Sequence, residues 1–443
     1  MPKPNPMRTS HYETPNNGSG VANETVPRKK RRRFTAAEKL RIVREATACA
    51  LMVCVVPAGG CGSTSADPSK DGGAGGTHDG GVGVQCDDGA WRTIAPPSDA
   101  ARSYHAARRF NDEVIVWGGL DARLGAGPKQ RLSSGWRLNV LTGHVSPLAL
   151  EGAPTQRKEY PAVALMGHSL YVWGNNLELT EAQGRRYDLD TDQWLEMSSQ
   201  GEPSRREYMH APQPRGMSWV IWGGDIATGP VANGARYDAE TDSWQAIPDA
   251  PFVNSYAGDV SLSDGRTLSW GGQTDGNTIA AGVTLNAAAT EWTTLPSGNA
   301  PPVLYSPLVE YAPLNNSLLV WGNEPLNDGR RFDIPSSSWQ AMSTDGSPFA
   351  HSGAAAVAGV TADRERLVVF GGVSLEGKLS DGGIYDVTTD SWSALPSGAC
   401  APPGLQGASM TAVDTAEGSF IVIWGGVDDA KDPERGYILK LPE

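Results

Sequence analysis

Apolar residues in this chain form short clusters. From about residue 91 onwards, clusters such as Val114–Trp117 and Ile421–Trp424 are followed by Gly, Asn or Asp. Aromatic and β-branched residues favour strands, and Gly and Pro end them. No apolar run reaches the roughly 18 residues that a membrane helix needs. The pattern therefore predicts many short strands joined by tight turns, with tryptophan in much of the core.

The same strand ending recurs seven times. An apolar strand ends in an aromatic residue followed by Gly-Gly or Gly-Asn, and the aromatic residues are Trp117, Trp173, Trp222, Trp270, Trp321, Phe370 and Trp424. Successive copies are 56, 49, 48, 51, 49 and 54 residues apart. A period near 50 residues is long enough for four strands and too long for one hairpin.

A second register lies in the later half of each repeat. Two large residues stand seven positions apart around a turn of the type Asp-x-x-Thr-Asp-Ser, as at Tyr187/Trp194, Tyr237/Trp244, Leu285/Trp292, Phe332/Trp339 and Tyr385/Trp392. The Asp, Thr and Ser side chains can bond to their own backbone and close a hairpin. Leu138 and Val145 are a degenerate copy.

These residues resemble the Kelch-repeat family, in which Gly-Gly ends strand two and Tyr and Trp follow on strands three and four. The resemblance covers residues 86–443 and implies an all-β, seven-bladed Kelch-type β-propeller. In the last repeat we assign Tyr437 to the tyrosine position, which would put its tryptophan beyond Glu443. Trp91–Pro96 reads like Trp244–Pro248, so an N-terminal outer strand is predicted to complete blade seven and close the ring.

Charge divides the chain. The formal net charge is -13, but residues 1–47 carry +7 and the remainder -20. An acidic body repels phosphate backbones, so we expect no nucleic acid partner for the propeller.

Residues 1–47 are a basic head whose first 27 residues are predicted to be disordered. Residues 31–49 resemble the start of insertion-sequence transposases and predict a short helix. The second helix of a DNA-binding helix-turn-helix motif does not follow. We therefore interpret this segment as a relic fused upstream or a mis-assigned start rather than a DNA-binding element.

Residues 48–61 are typical of an export signal. A short apolar stretch after basic residues ends in Pro57–Cys61, which resembles the bacterial lipobox and implies lipidation of Cys61. Residues 62–85 form a Gly/Ser/Asp-rich linker. We expect an exported lipoprotein of the outer membrane, periplasm or cell surface; plain secretion and a cytoplasmic location are the alternatives.

Two cysteines, Cys86 and Cys400, lie beyond the signal region. Export favours a disulfide between them. However, Cys86 precedes the outer strand of blade seven, whereas Cys400 follows that of blade six. Those strands run in the same direction, so the two thiols are predicted near opposite faces and unpaired unless a loop wraps round.

Candidate catalytic chemistry is sparse. Neither cysteine falls on an inner strand, which disfavours a galactose-oxidase-type copper site, and no zinc or calcium spacing is complete. We predict no cofactor, no metal and no catalytic residue. A sugar-modifying enzyme of the sialic-acid mutarotase type, an exported propeller, stays open as an alternative by fold analogy.

Polar and aromatic residues recur at the starts of the inner strands. They are Arg102, Tyr104, His105, Arg157, Tyr160, Arg206, Tyr208, His210, Tyr256, Tyr305 and His351. Together they could bind a carboxylate, a sugar or a peptide at one rim of the axial channel. Alternatively, the Arg and His side chains brace neighbouring blades. The sequence thus predicts a non-catalytic binding propeller on the cell envelope, with a protein, peptide or carbohydrate ligand; it sets no oligomeric state.

Overall fold

The computed structural model describes residues 84–94, 101–121, 131–154, 162–174, 184–214, 216–274, 277–302, 307–323, 326–349, 354–361, 364–374, 377–428 and 435–442. The basic head, the lipobox-like segment with Cys61 and nearly all of the linker lie outside these residues. Every regular element in the described part of the chain is a β-strand. Within that part, no helix is long and apolar enough to cross a membrane.

The strands form seven blades around an axis, which confirms the predicted propeller. Blade one holds β3 (Arg102–Ser103), β4 (Ala106–Phe110), β5 (Glu113–Trp117), β6 (Leu120–Asp121), β7 (Gly135–Asn139) and β8 (Val145–Pro147). Blade two holds β9 (Ala162–Met166), β10 (Ser169–Trp173), β11 (Arg185–Asp188) and β12 (Gln193–Glu196). Blade three holds β13 (Ser218–Trp222), β14 (Asp225–Ile226), β15 (Gly229–Pro230), β16 (Gly234–Asp238) and β17 (Ser243–Ile247).

The later blades repeat this plan. Blade four holds β18 (Gly258–Ser261), β19 (Thr267–Trp270), β20 (Gln273–Thr274), β21 (Asn277–Thr278), β22 (Gly282–Leu285) and β23 (Trp292–Thr294). Blade five holds β24 (Leu308–Ala312), β25 (Ser317–Asn323), β26 (Leu326–Asp333) and β27 (Ser338–Ala341). Blade six holds β28 (Ala355–Thr361), β29 (Arg364–Phe370), β30 (Val373–Ser374), β31 (Gly377–Lys378), β32 (Gly382–Asp386) and β33 (Ser391–Ala394).

Blade seven joins the two ends of the chain. It holds β34 (Ser409–Thr415), β35 (Gly418–Trp424) and β36 (Gly436–Lys440), together with β1 (Val84–Asp87) and β2 (Trp91–Ile94) from the N-terminal side. The sheet order is β1-β2-β36-β35-β34, so β2 completes the blade as predicted. β1 adds a fifth strand outside it, which the sequence did not suggest.

The register of blade seven corrects one assignment. Trp91 pairs with Leu439, and Thr93 pairs with Tyr437. In the other blades the outer large residue pairs with the tyrosine position, as Trp244 does with Tyr237. Leu439 therefore occupies the tyrosine position, and Tyr437 does not. The two residues lie on the same face of the strand, and the prediction chose Tyr437 because it is aromatic.

Blade three departs from the four-stranded plan. Its main sheet has three strands, in the order β13-β16-β17. Where the inner strand would run, Pro212 and Pro214 flank Gln213. Proline has no backbone N–H to give to the ladder, so the regular pairing is limited to a bridge between His210 and Trp222.

Tryptophan side chains hold adjacent blades together. The indole of Trp194 packs on Trp117 of the preceding blade, with ring centres 4.5 Å apart, and four further pairs repeat this contact. The outer-strand indoles also donate to backbone carbonyls of the preceding blade: Trp91 to Pro396, Trp194 to Ala149, Trp244 to Ser198, Trp292 to Pro248, Trp339 to Pro296 and Trp392 to Ser343. Trp91 thus acts in the seventh blade as its counterparts do elsewhere.

Cys86 and Cys400 form a disulfide, so the prediction of unpaired thiols is wrong. The cause is β1, which folds back along β2 and places Cys86 opposite Thr93, near the end of the outer strand. The loop that follows the outer strand of blade six reaches the same face. The prediction had put Cys86 before the start of the outer strand, at the opposite face.

Candidate functional site

The loops that enter the inner strands and the loops between strands two and three form one face of the propeller, here called the upper face. Three of these entering loops share a pattern: a buried polar residue is followed two positions later by tyrosine. They are Arg102/Tyr104 in blade one, Arg206/Tyr208 in blade three and Asn254/Tyr256 in blade four.

Arg102 is fully buried and braces its own blade. Its Nη1 donates to the backbone carbonyls of Gly118 and Ser134, at 3.1 and 2.8 Å. Gly118 follows Trp117 in the repeated motif, and Ser134 precedes strand three. The guanidinium therefore ties together both ends of the loop between strands two and three.

Arg206 does the same in blade three. It is fully buried, and its Nη1 donates to the carbonyls of Gly223 and Asn233, at 3.1 and 2.8 Å. Burial lowers the pKa of this guanidinium to about 10, so it remains charged at neutral pH. Asn254 Nδ2 makes the corresponding bond to Gly271 in blade four. The residue at the first position of the pattern therefore stabilises the loop between strands two and three.

The two candidate rim histidines that lie within the described residues, His105 and His210, connect blades. His105 Nε2 lies 2.7 Å from the hydroxyl of Ser409 in blade seven. Burial, and then the charge of Arg102, hold the pKa of His105 well below its ordinary value. His210 Nδ1 lies 2.8 Å from Asp259 Oδ1 in blade four, and its ring stacks on Trp222 at 4.3 Å.

The tyrosines have an unusual backbone. Tyr104, Tyr208 and Tyr256 have φ angles of 53°, 52° and 61°, in the left-handed region. Gly407, with a φ of 69°, holds the corresponding place in blade seven. Left-handed backbone costs a residue with a side chain about 1–2 kcal/mol, whereas glycine adopts it freely.

Each tyrosine ring lies next to the corresponding residue of an adjacent blade. The rings of Tyr208 and Tyr256 are stacked, 4.4 Å apart and inclined by 25°. The Tyr104 ring lies so close to Gly407 that a Cβ there would approach it to 2.8 Å. All three tyrosines are half-buried. The left-handed turns therefore place two aromatic rings side by side on the upper face, and Tyr104 lies against Gly407.

Four further rim residues were predicted from the sequence. Arg157, Tyr160, Tyr305 and His351 lie outside the described residues, so their part in the site stays a prediction. Within the described part of the chain, no group of three or more His, Cys, Asp or Glu side chains could hold a metal ion.

One inner-strand residue that connects blades is absent from the predicted rim set. Arg108 on β4 is half-buried, and its Nε donates to the Val163 carbonyl in blade two at 2.9 Å. Burial lowers its pKa to about 10, and Glu310 on β24 opposes that shift. A charged residue in an otherwise apolar inner strand is the sequence feature that could have indicated this contact between blades.

Comparison with known proteins agrees with this architecture. Residues 259–441 match the model of the KLHDC2/KLHL20/DRC7 Kelch-repeats domain. Kelch-like protein 25 of Xenopus tropicalis is 29% identical over 93 residues, which is 21% of this chain and 15% of the relative. The human and rat proteins of that name are 28% identical over 93 residues, with the same coverage. The match spans only 15% of these relatives' length. Residues 259–441 of the seven-bladed propeller are therefore similar to a Kelch-repeats domain.

Proposed function

We propose that this protein is a non-catalytic binding module whose upper face contacts a protein or peptide partner. The observation that carries the proposal is the left-handed backbone of Tyr104, Tyr208 and Tyr256. Gly407 makes the same turn in blade seven, so the fold does not need tyrosine there. Strained residues persist where their side chains have a role, and they cluster at binding sites.

Tyrosine suits such a surface. It offers a large, rigid aromatic area with a hydroxyl at the tip, at low entropic cost, and it is enriched at protein interfaces. The stacked pair Tyr208/Tyr256 provides such an area across two blades. Arg102 and Arg206 act behind this surface by fixing the loops, because their guanidinium groups are buried and bonded to carbonyls.

The test is to replace Tyr208 with glycine. Tyr208→Gly removes the ring and relieves the left-handed strain, so we expect binding to fall about ten-fold or more while the melting temperature changes little. Peptides selected from a display library on the full chain serve as ligands, and a glycan array tests the carbohydrate alternative.

Asn111→Gly is the matched control. Asn111 also has a left-handed φ, of 52°, but it lies in the β4–β5 turn on the opposite face. This variant should leave binding unchanged. Equal loss of binding in both variants, or none in Tyr208→Gly, would contradict the proposal.

We also propose that the protein is an exported lipoprotein anchored through Cys61. The Cys86–Cys400 disulfide supports export, because such bonds persist in oxidising compartments. Cys61→Ser should move the protein from the membrane fraction to the soluble fraction of the producing cells. Cys49→Ser is the control, and an unchanged distribution of Cys61→Ser would argue against the anchor.

The alternative of a sugar-modifying enzyme needs an acid and a base within reach of substrate. His210 and Asp259 are a described pair of suitable types, but the side chain of His210 is 1% exposed and that of Asp259 is 10% exposed. This burial, together with the stacking on Trp222, fits a contact between blades better than a catalytic pair.

A further inference from the structure

A cavity of about 620 Å³ opens on the lower face, where the strand one–two and strand three–four turns lie. It lies between blade six and Pro442, which follows strand three of blade seven. Its lining includes Arg364, Arg366, Asp386, Ser391 and Ser393. This cavity is separate from the upper-face tyrosines.

One strand-three position differs between this junction and two others in the ring. The residue before the strand-three tyrosine position is Arg137 in blade one and Arg331 in blade five. These arginines donate to carbonyls of the next blade, Leu189 and Val387, both at 3.0 Å. In blade six the corresponding residue is Ile384, which lines the cavity and cannot reach across as arginine does. At the junction between blades six and seven this strand-three bridge is missing, and Arg366 on strand two reaches the Pro442 carbonyl instead.

Two guanidinium groups face this opening. Arg366 is 5% exposed and donates to the Pro442 carbonyl, whereas Arg364 is exposed. They are two positions apart on β29, so their side chains lie on the same face of the sheet. Burial lowers the pKa of Arg366, the charge of Arg364 lowers it further, and the charge of Asp386 opposes that shift.

The nearby carboxylate does not fully offset this charge. Asp386 pairs with Arg366 in the sheet, but its Oδ1 accepts hydrogen bonds from the backbone N–H groups of Thr388 and Thr389. Among the described lining residues, two arginines and one carboxylate give a net positive charge, on a body that is otherwise strongly acidic. Serine and threonine side chains also line the cavity, together with Ile384, Trp392 and Pro442.

We propose that this cavity binds a small hydroxylated organic anion that carries a carboxylate or phosphate group. The anionic group would lie between Arg364 and Arg366, which recognise such oxygens through paired N–H donors. The hydroxyl groups of the ligand would bond to Ser391, Ser393 and Thr389. The cavity has room for a molecule of sugar size.

Equilibrium dialysis of the full chain tests the proposal with labelled inorganic phosphate and labelled gluconate, and with sorbitol as the neutral comparison. We expect saturable binding of at least one anion and none of sorbitol. Gluconate alone would indicate a carboxylate ligand, and phosphate alone a phosphate ester. Absence of saturable binding by both anions would overturn the proposal.

Two variants locate the binding. Arg364→Gln should weaken it about ten-fold or more, because an exposed charge is lost without disturbing the core. Ser393→Leu should do the same by filling the cavity at constant charge. Arg236→Gln is the matched control, since Arg236 lies on strand three of blade three and bonds to Gln245. Wild-type affinity in Arg364→Gln, or an equal loss in the control, would place the anion elsewhere.

Discussion

The tyrosines of strand three show how a single side chain can fasten a turn. Tyr187, Tyr237 and Tyr385 each donate a hydroxyl hydrogen bond to the carboxylate five residues later, at 2.6–2.8 Å. Burial is the largest cause of their raised pKa values, and the adjacent aspartate adds to it; for Tyr187 the result is about 12. Ionisation of these hydroxyls would remove the hydrogen bonds that they donate to the turns.

A pH dependence follows from the raised pKa of Tyr187. In the unfolded chain its hydroxyl ionises near its model-compound pKa of 10.0, whereas in the folded chain it stays protonated to about 12. Its contribution to stability is therefore complete below pH 10 and is lost as the pH rises towards 12. Denaturant unfolding at pH 8 and pH 11 should show a large fall for the wild type and a smaller one for Tyr187→Phe. An equal fall in both proteins would contradict this assignment.

The roles of individual residues could be predicted from the sequence only in part. The outer-strand role of Trp91 follows from its resemblance to the Trp244 segment, and the structure agrees. The left-handed tyrosines could not be foreseen, because tyrosine has no intrinsic preference for that backbone. The register error at Tyr437 was avoidable. In the other six blades the tyrosine position follows a glycine by three residues, and Gly436 points by that rule to Leu439.

Among the elements, the hairpin of β1 and β2 has the greatest consequence for the ring. Three contacts fasten it to one loop of blade six: the Cys86–Cys400 disulfide, the Trp91 indole bonded to Pro396, and the Asp88 carboxylate, which accepts from Cys400 N at 3.1 Å. On the other side, Arg92 donates to the carbonyls of Val140 and Leu141 in blade one. The hairpin therefore connects blade seven with both of its neighbours.

β1 itself could not be predicted, because its four residues, Val-Gln-Cys-Asp, show no strand pattern strong enough to stand out. It is a strand because β2 offers a free edge with which to pair. The wrong prediction about the disulfide has the same origin, since without β1 the topology puts the two cysteines at opposite faces. The pairing of β1 with β2 therefore determines the conformation of a segment whose local sequence has no clear strand preference.

Removing the disulfide should weaken the closure without abolishing it. It joins residues 314 positions apart, and such bonds typically contribute about 2–4 kcal/mol. We expect the Cys86→Ala/Cys400→Ala double variant to unfold at lower denaturant, while deletion of residues 84–94 costs considerably more because Trp91 and a strand ladder are also lost. Full stability in the deletion variant would contradict the closure described here.

At the scale of the whole molecule, the architecture was the most predictable feature. Seven copies of one motif at a spacing near 50 residues fix the number of blades, and each blade buries its aromatic residues against the next. The two faces were less predictable. The lower-face cavity is lined by Ile384 at a position where blades one and five have arginine, and the upper face depends on backbone angles.

The disulfide also decides how the propeller would respond to mechanical load. A pulling force applied upstream of Val84 enters the fold through β1, two residues before Cys86. It then passes through a covalent bond into the loop of blade six, and β2 and the Trp91 indole carry little of it. Without the disulfide, the force could separate the end strand from the sheet one hydrogen bond at a time. The Cys86–Cys400 bond prevents this, because it holds the strand covalently near its first residue. A protein tethered from its N-terminal side would thus keep its ring closed under tension, because rupture would require blade six to yield as well.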